Sequence, residues 1–130
     1  MKNNIFFVFF FLITFGFSAC NNEDPVAKTF QNKCGNCHGN NGEGLKQLIP
    51  PIANSDYLQK HHENLICIIR NGMSDTIVVN GIMHHQIMPD NKDMSVIEMT
   101  NLVNYINRNW YPDRPHLTTK DVREKMDSCF

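Results

Sequence analysis

An all-α fold is predicted from three observations. Apolar residues recur at helical spacing in separate short segments. Cap residues stand where those segments begin. Period-two alternation, the mark of half-buried strands, is almost absent. The 130-residue chain is long enough for one modest domain.

Asp24-Pro25 opens the first helix, with a carboxylate to cap free N–H groups and proline at the first helical position. Val26, Ala27 and Phe30 follow at helical spacing, and the helix is expected to run to about Lys33. Residues 39–44 (GNNGEG) are turn chemistry, and Leu45 to Ile52 continues as loop broken by Pro50-Pro51. Asn54-Ser55-Asp56 caps a short turn through Lys60. Glu63 to Asn71 reads as a second helix, apolar at Leu65, Ile66, Ile68 and Ile69 and stopped by Asn71-Gly72. Thr76 to Gly81 is β-branched and then turn-like: one short extended segment, the edge of a small hairpin. Ile82 to Lys92 reads as loop around Met88-Pro89. Ser95 to Trp110 is the clearest helix, with Ile97, Leu102, Tyr105 and Ile106 near one face and Ser95 with Glu98 as a capping box. Pro112 and Pro115 end it. Thr118 with Asp121 caps a last short helix through Met126.

Lys2 precedes an almost wholly apolar run from Ile5 to Phe15, too short to span a bilayer and laid out as an export signal. Phe17-Ser18-Ala19-Cys20 resembles a bacterial lipobox, which places cleavage after residue 19 and a lipid on Cys20. Residues 20–24 then form a polar tether. Plain secretion with cleavage near Ala19, or an uncleaved anchor, are the alternatives. The formal net charge is −1, and no basic stripe points to nucleic acid.

Cys34-Gly35-Asn36-Cys37-His38 carries the chemistry. C-x-x-C-H is the attachment signal for a c-type haem. Two thiols at this spacing each form a thioether to a porphyrin vinyl group, and the following histidine supplies an imidazole nitrogen to the iron. A thioredoxin-type site needs a βαβ setting, and a zinc site needs a second close pair of ligands. Neither is visible. Cys67 and Cys129 remain. Export permits a disulfide between them, but Cys67, inside an apolar run, reads as a small buried hydrophobe. Cys129, near the C-terminus, reads as a free thiol or an intermolecular bridge.

These residues resemble the class I cytochromes c. The likeness runs from about Val26 to Trp110 and implies three main helices with loops wrapped around one covalently bound haem. Phe30 matches the aromatic of the family's N-terminal helix. Leu102 and Tyr105 match the apolar–aromatic pair of its C-terminal helix, which crosses the first. Val26 stands where many members have glycine. CHGNNGEGLKQLIPPIANSDYL is similar to a subgroup of small monohaem bacterial cytochromes. The implied domain covers residues 25–111, with 112–130 as an extension bearing a short helix.

Met88, followed by Pro89 in a loop before the last long helix, matches the family's methionine ligand. A thioether is a neutral, soft ligand that favours Fe(II) and raises the potential. Met99 reads as core, and Met73, Met83, Met94 and Met126 are weaker candidates. His84 and His85 offer bis-histidine ligation, but read as exposed loop residues. His61 and His62 read as a solvated helix approach, and His116 lies in the tail. Pro50 corresponds to the proline whose carbonyl accepts the proximal imidazole N–H in the family. Asn80 is a candidate contact to the methionine or a propionate, while Tyr57, Tyr105 and Trp110 read as packing aromatics.

No nucleophile–base pair or phosphate loop suggests an enzyme. The expected function is single-electron transfer between redox partner proteins, such as a terminal oxidase, nitrite reductase or quinol-oxidising complex. The expected location is the bacterial envelope, tethered by lipid and facing the periplasm. A haem peroxidase or gas sensor is the alternative, and it requires Met88 to be off the iron.

Overall fold

A computed structural model describes residues 24–129. The expected signal over residues 1–19, Cys20 and most of the tether lie outside the described residues. Asp24 Oδ1 accepts the Val26 N–H at 2.9 Å and starts α1, Pro25–Phe30. Helical backbone then continues past the expected end at Lys33. A π-helical turn, Gln31–Gly35, leads into α2, Asn36–His38. Gly35 keeps helical dihedrals inside the run, and Gly39, with φ of 77°, ends it.

Ser55 caps α3, Asp56–Lys60, through the Leu58 N–H at 3.1 Å. A 3₁₀ turn over His62–Asn64 feeds α4, Leu65–Asn71. The segment from Ile82, read from sequence as loop, begins with a strand. β1, Ile77–Val79, pairs antiparallel with β2, Ile82–His84. Asn80 and Gly81 both have positive φ, 52° and 78°. That is the backbone a two-residue type I′ turn demands, and Asn-Gly is its strongest sequence signal.

α5, Val96–Trp110, begins with the expected capping box, and so does α6, Thr119–Asp127. The buried face of α5 is Met99, Leu102, Val103 and Ile106; Ile97 is 65 % exposed. Five residues at about 100° each carry Ile97 roughly 140° away from Leu102, so it belongs to the solvent side. Met99 is core, as expected.

α1 packs across α5. Fully buried Phe30 lies 5.4 Å from the Tyr105 ring and 5.1 Å from the Trp110 ring, centroid to centroid. The crossing forms with Val26 half-buried where glycine is common. α6 packs on both α4 and α5, burying Val122 and Met126 in the same core. Cys67 and Cys129 are joined in a disulfide. This corrects the reading of Cys67 as an unpaired core residue and of Cys129 as free or intermolecular. α6 folds back along α4, which brings residues 62 positions apart together. Among the described residues, no helix is long and apolar enough to cross a membrane.

Candidate functional site

A cleft of about 1150 Å³, open solvent included, separates the helical run that ends at His38 from the segment 86–89. Its wall is predominantly apolar. The helical spacing of residues 34, 37 and 38 turns all three side chains to the cleft. Cys34 and Cys37 are free thiols, Cys34 half-buried and Cys37 exposed at the rim. Burial pushes the Cys34 thiol up to about 11, so it is neutral at pH 7. A thioether bears no proton, and that wall position suits the attached form as well.

His38 Nδ1 lies 2.9 Å from the carbonyl oxygen of Pro50. A carbonyl can only accept, so Nδ1 carries the hydrogen, and the lone pair of Nε2 is free. Burial holds the imidazole below its ordinary 6.5, with the bond to Pro50 opposing. The ring is therefore neutral at pH 7, the form that binds a metal. Gly44 makes this approach possible. A Cβ there would lie 2.6 Å from Ile49 O and 2.7 Å from Pro51 N, and φ is 71°. The Gly44 N–H also donates to His38 O at 2.7 Å.

Met88 enters from the other side, half-buried and in the cleft wall. Its backbone is pinned to Met73 by a reciprocal pair, Met73 N to Met88 O at 3.0 Å and Met88 N to Met73 O at 2.8 Å. Met73 also lines the cleft, whereas Met83 points away and is 63 % exposed. Met94 and Met126 are core residues.

Several expectations need correction. His84 is not an exposed loop residue: it ends β2 and is buried at 2 %. Ladder register puts Ile77 opposite His84 and Val79 opposite Ile82 on one face. Ile77, Val79 and His84 line the cleft, and the partnered Val78 and Met83 face solvent. His85 is exposed, as expected. Asn80 contacts neither methionine nor cleft. Its Oδ1 accepts the Asp56 N–H at 3.1 Å, while its own N–H donates to Asp56 Oδ1 at 2.7 Å. That pair latches the hairpin to α3, and the Asn80 N–H holds the Asp56 carboxyl below the usual range. His62 is not simply solvated either; its Nε2 meets Asn107 Oδ1 at 2.8 Å. Tyr57 reaches the cleft wall, but Tyr105 and Trp110 pack against Phe30 instead.

Sequence reasoning passed over Tyr111. Its buried hydroxyl donates to Ile52 O and accepts the Ser55 N–H at 3.2 Å, fixing the loop that forms one cleft wall. No local pattern signals a clamp across 56 to 59 residues.

The donor set can be tested against a covalently attached porphyrin. Two thiols and a neutral imidazole share one helical face above an apolar cleft, and Cys67 and Cys129 are unavailable as metal ligands because they are bonded to each other. Among the described residues no group of three or more His, Cys, Asp or Glu is placed to hold a metal ion without a porphyrin. The set fits. The cytochrome c family model matches residues 24–110.

The chain belongs to the cytochrome c family.

Its cofactor is covalently bound haem c. It is 26 % identical over 118 residues to "Alcohol dehydrogenase (quinone), cytochrome c subunit" from Gluconacetobacter polyoxogenes and from Komagataeibacter europaeus, covering 80 % of this chain and 23 % of those proteins. Over 82 residues it is 28 % identical to cytochrome c-552 from Thermus thermophilus, covering 60 % of this chain and 63 % of that one. The chain thus spans about a quarter of the length of the dehydrogenase subunits it matches.

Proposed function

We propose that this cytochrome c carries single electrons with one haem held by Cys34 and Cys37 and an iron ligated by His38 and Met88. The hydrogen bond of 2.9 Å from His38 Nδ1 to Pro50 O carries this reading. It fixes the tautomer, leaves Nε2 as the donor atom and makes the imidazole more basic. Haem c supplies reversible one-electron chemistry at iron. The chain supplies a largely apolar cleft, a fixed imidazole and a soft sulfur on a segment pinned by two backbone hydrogen bonds. Met88 is preferred to Met73 because it sits beside Pro89 on the family-like segment.

An iron held by both His38 and Met88 would have no open position for a substrate, and this would separate a carrier from a haem peroxidase or gas sensor. Ile87, 66 % exposed in the cleft wall beside Met88, offers apolar surface for brief docking. Partners of the terminal oxidase, nitrite reductase, quinol-oxidising or quinone-linked dehydrogenase class fit such a carrier; the named subunit relatives support the last. Phe17-Ser18-Ala19-Cys20 supports export and a lipid on Cys20. More than one acyl chain, at about 0.8 kcal/mol per buried methylene, holds a protein on a membrane. A tether on the periplasmic side of the bacterial envelope then raises the effective concentration at membrane enzymes.

Met88→Ala and Met73→Ala test the ligand assignment. Both are expected to keep covalent haem on a denaturing gel. The weak red-end absorption of ferric methionine-ligated haem disappears in Met88→Ala and survives in Met73→Ala. The opposite pattern assigns the iron to Met73, and a high-spin wild-type spectrum replaces the carrier with the open-site alternative.

A further inference from the structure

His84 has no role in the functions assigned so far, yet its burial demands one. Both ring nitrogens are fully enclosed, and neither has a hydrogen-bond partner among the described residues. Leaving a buried donor unpaired forfeits its hydration with nothing in return, and buried polar groups are nearly always satisfied. The β ladder fixes the direction of the side chain, because His84 shares a face with Ile77 and Val79, and all three line the haem cleft. The chain itself encloses the nitrogens, so a partner in that cleft is met by a turn of the His84 ring towards it.

Once its vinyl groups are consumed in thioethers, haem c is apolar over its whole periphery except for two propionate carboxylates. A carboxylate entering a largely apolar wall needs a donor. Two charged side chains line this cleft, Lys33 and Asp75. Lys33 Nζ is engaged by Asp93 at 3.0 Å, and Asp75 would repel an anion. Of the two amides that line the cleft, Asn91 engages Ile69 O through Nδ2 at 3.3 Å, and Gln86 is exposed, so water satisfies it and it carries no unpaired buried donor.

We propose that His84 donates a ring N–H to a haem propionate, and so positions the hairpin edge of the haem and lowers the effect of that carboxylate's charge on the iron. This rests on haem c occupying the cleft as proposed above. The competing role, His84 as an axial ligand in place of Met88, gives a different outcome.

The test compares His84→Leu and His84→Asn with wild-type holoprotein. The propionate bending mode in the resonance Raman spectrum is expected to move in His84→Leu and to return towards the wild-type position in His84→Asn, which restores an N–H donor. The reduction potential is expected to fall in His84→Leu, because a less screened anion favours Fe(III), and to recover in His84→Asn. The ferric methionine band persists in all three. An unmoved propionate mode overturns the proposal while leaving the Met88 reading intact. Loss of low-spin ligation in both variants overturns it in favour of axial His84. If neither variant retains haem, ferrous wild-type protein with ¹⁵N-labelled histidine decides. A slowly exchanging His84 N–H with a nuclear Overhauser contact to propionate methylene protons supports the assignment, and its absence overturns it.

Discussion

Gly72 lies so close to the carbonyl of Met88 that a Cβ on Gly72 would collide with that oxygen and stand 2.9 Å from the Asp90 amide nitrogen. Its φ of 72° is also strained for any residue with a side chain. The C-cap of α4 is therefore the seat of the methionine segment. The residue that ends a helix also lets Met88 approach the cleft.

Gly72→Ala is expected to push that segment outward. Backbone strain of about 1–3 kcal/mol for a side-chain-bearing residue at φ 72°, ψ −171° adds to the backbone collision. The ferric methionine band should weaken or vanish while haem stays covalently attached. An unchanged band, read by absorption spectroscopy, would show that the seat is not needed.

Gly44→Ala acts on the opposite wall of the cleft, at the proposed ligand His38. The added Cβ drives the Ile49–Pro51 backbone away, lengthening the bond from His38 Nδ1 to Pro50 O. An imidazole without that acceptor donates less electron density, and Fe(III) loses stabilisation. The reduction potential should rise, by spectroelectrochemical titration. A fall or no change would mean that the Pro50 carbonyl does not tune His38.

The disulfide closes a loop of 62 residues. Chain-entropy reasoning assigns such a closure about 4 kcal/mol, within a usual loss of about 2–5 kcal/mol. Cys129→Ala should lower stability by that order in urea unfolding, and its haem spectrum should stay unchanged. Stability equal to wild type would remove the disulfide from the account of α6.

His62 gives the fold a pH dependence. Burial holds its imidazole below 6.5, with the hydrogen bond to Asn107 and the charge of Glu63 opposing and Arg114 adding to the depression. The unfolded chain therefore takes up the proton first. The stabilisation is complete above the unfolded value of about 6.5 and is lost as pH falls through the lower folded value. Unfolding free energy measured at about pH 7.5 and about pH 5 should drop more in wild type than in His62→Gln. Equal drops would place the dependence on the carboxylates that cap the helices.

The helices were legible because their signals are local. Asp24-Pro25, Ser95 with Glu98 and Thr118 with Asp121 name their own N-termini within four residues, and each cap forms as written. The family and its haem were also legible, because Cys34, Cys37 and His38 are contiguous on one turn of chain. β2 was missed although Asn80-Gly81 announced it, since three-residue strands carry too little alternation to count.

What the sequence alone settled is therefore a set of short-range features: the helix caps, and the C-x-x-C-H pentapeptide that signals the family. Tertiary structure decided which distant groups share a surface. It bonded Cys67 to Cys129, turned His84 inward with Ile77, clamped Ile52 and Ser55 on Tyr111, and used Gly44 and Gly72 as seats for two backbone segments. Each of these depends on chain closure over many residues. A linear pattern records propensity, whereas burial and pairing arise only when separate segments compete for one core.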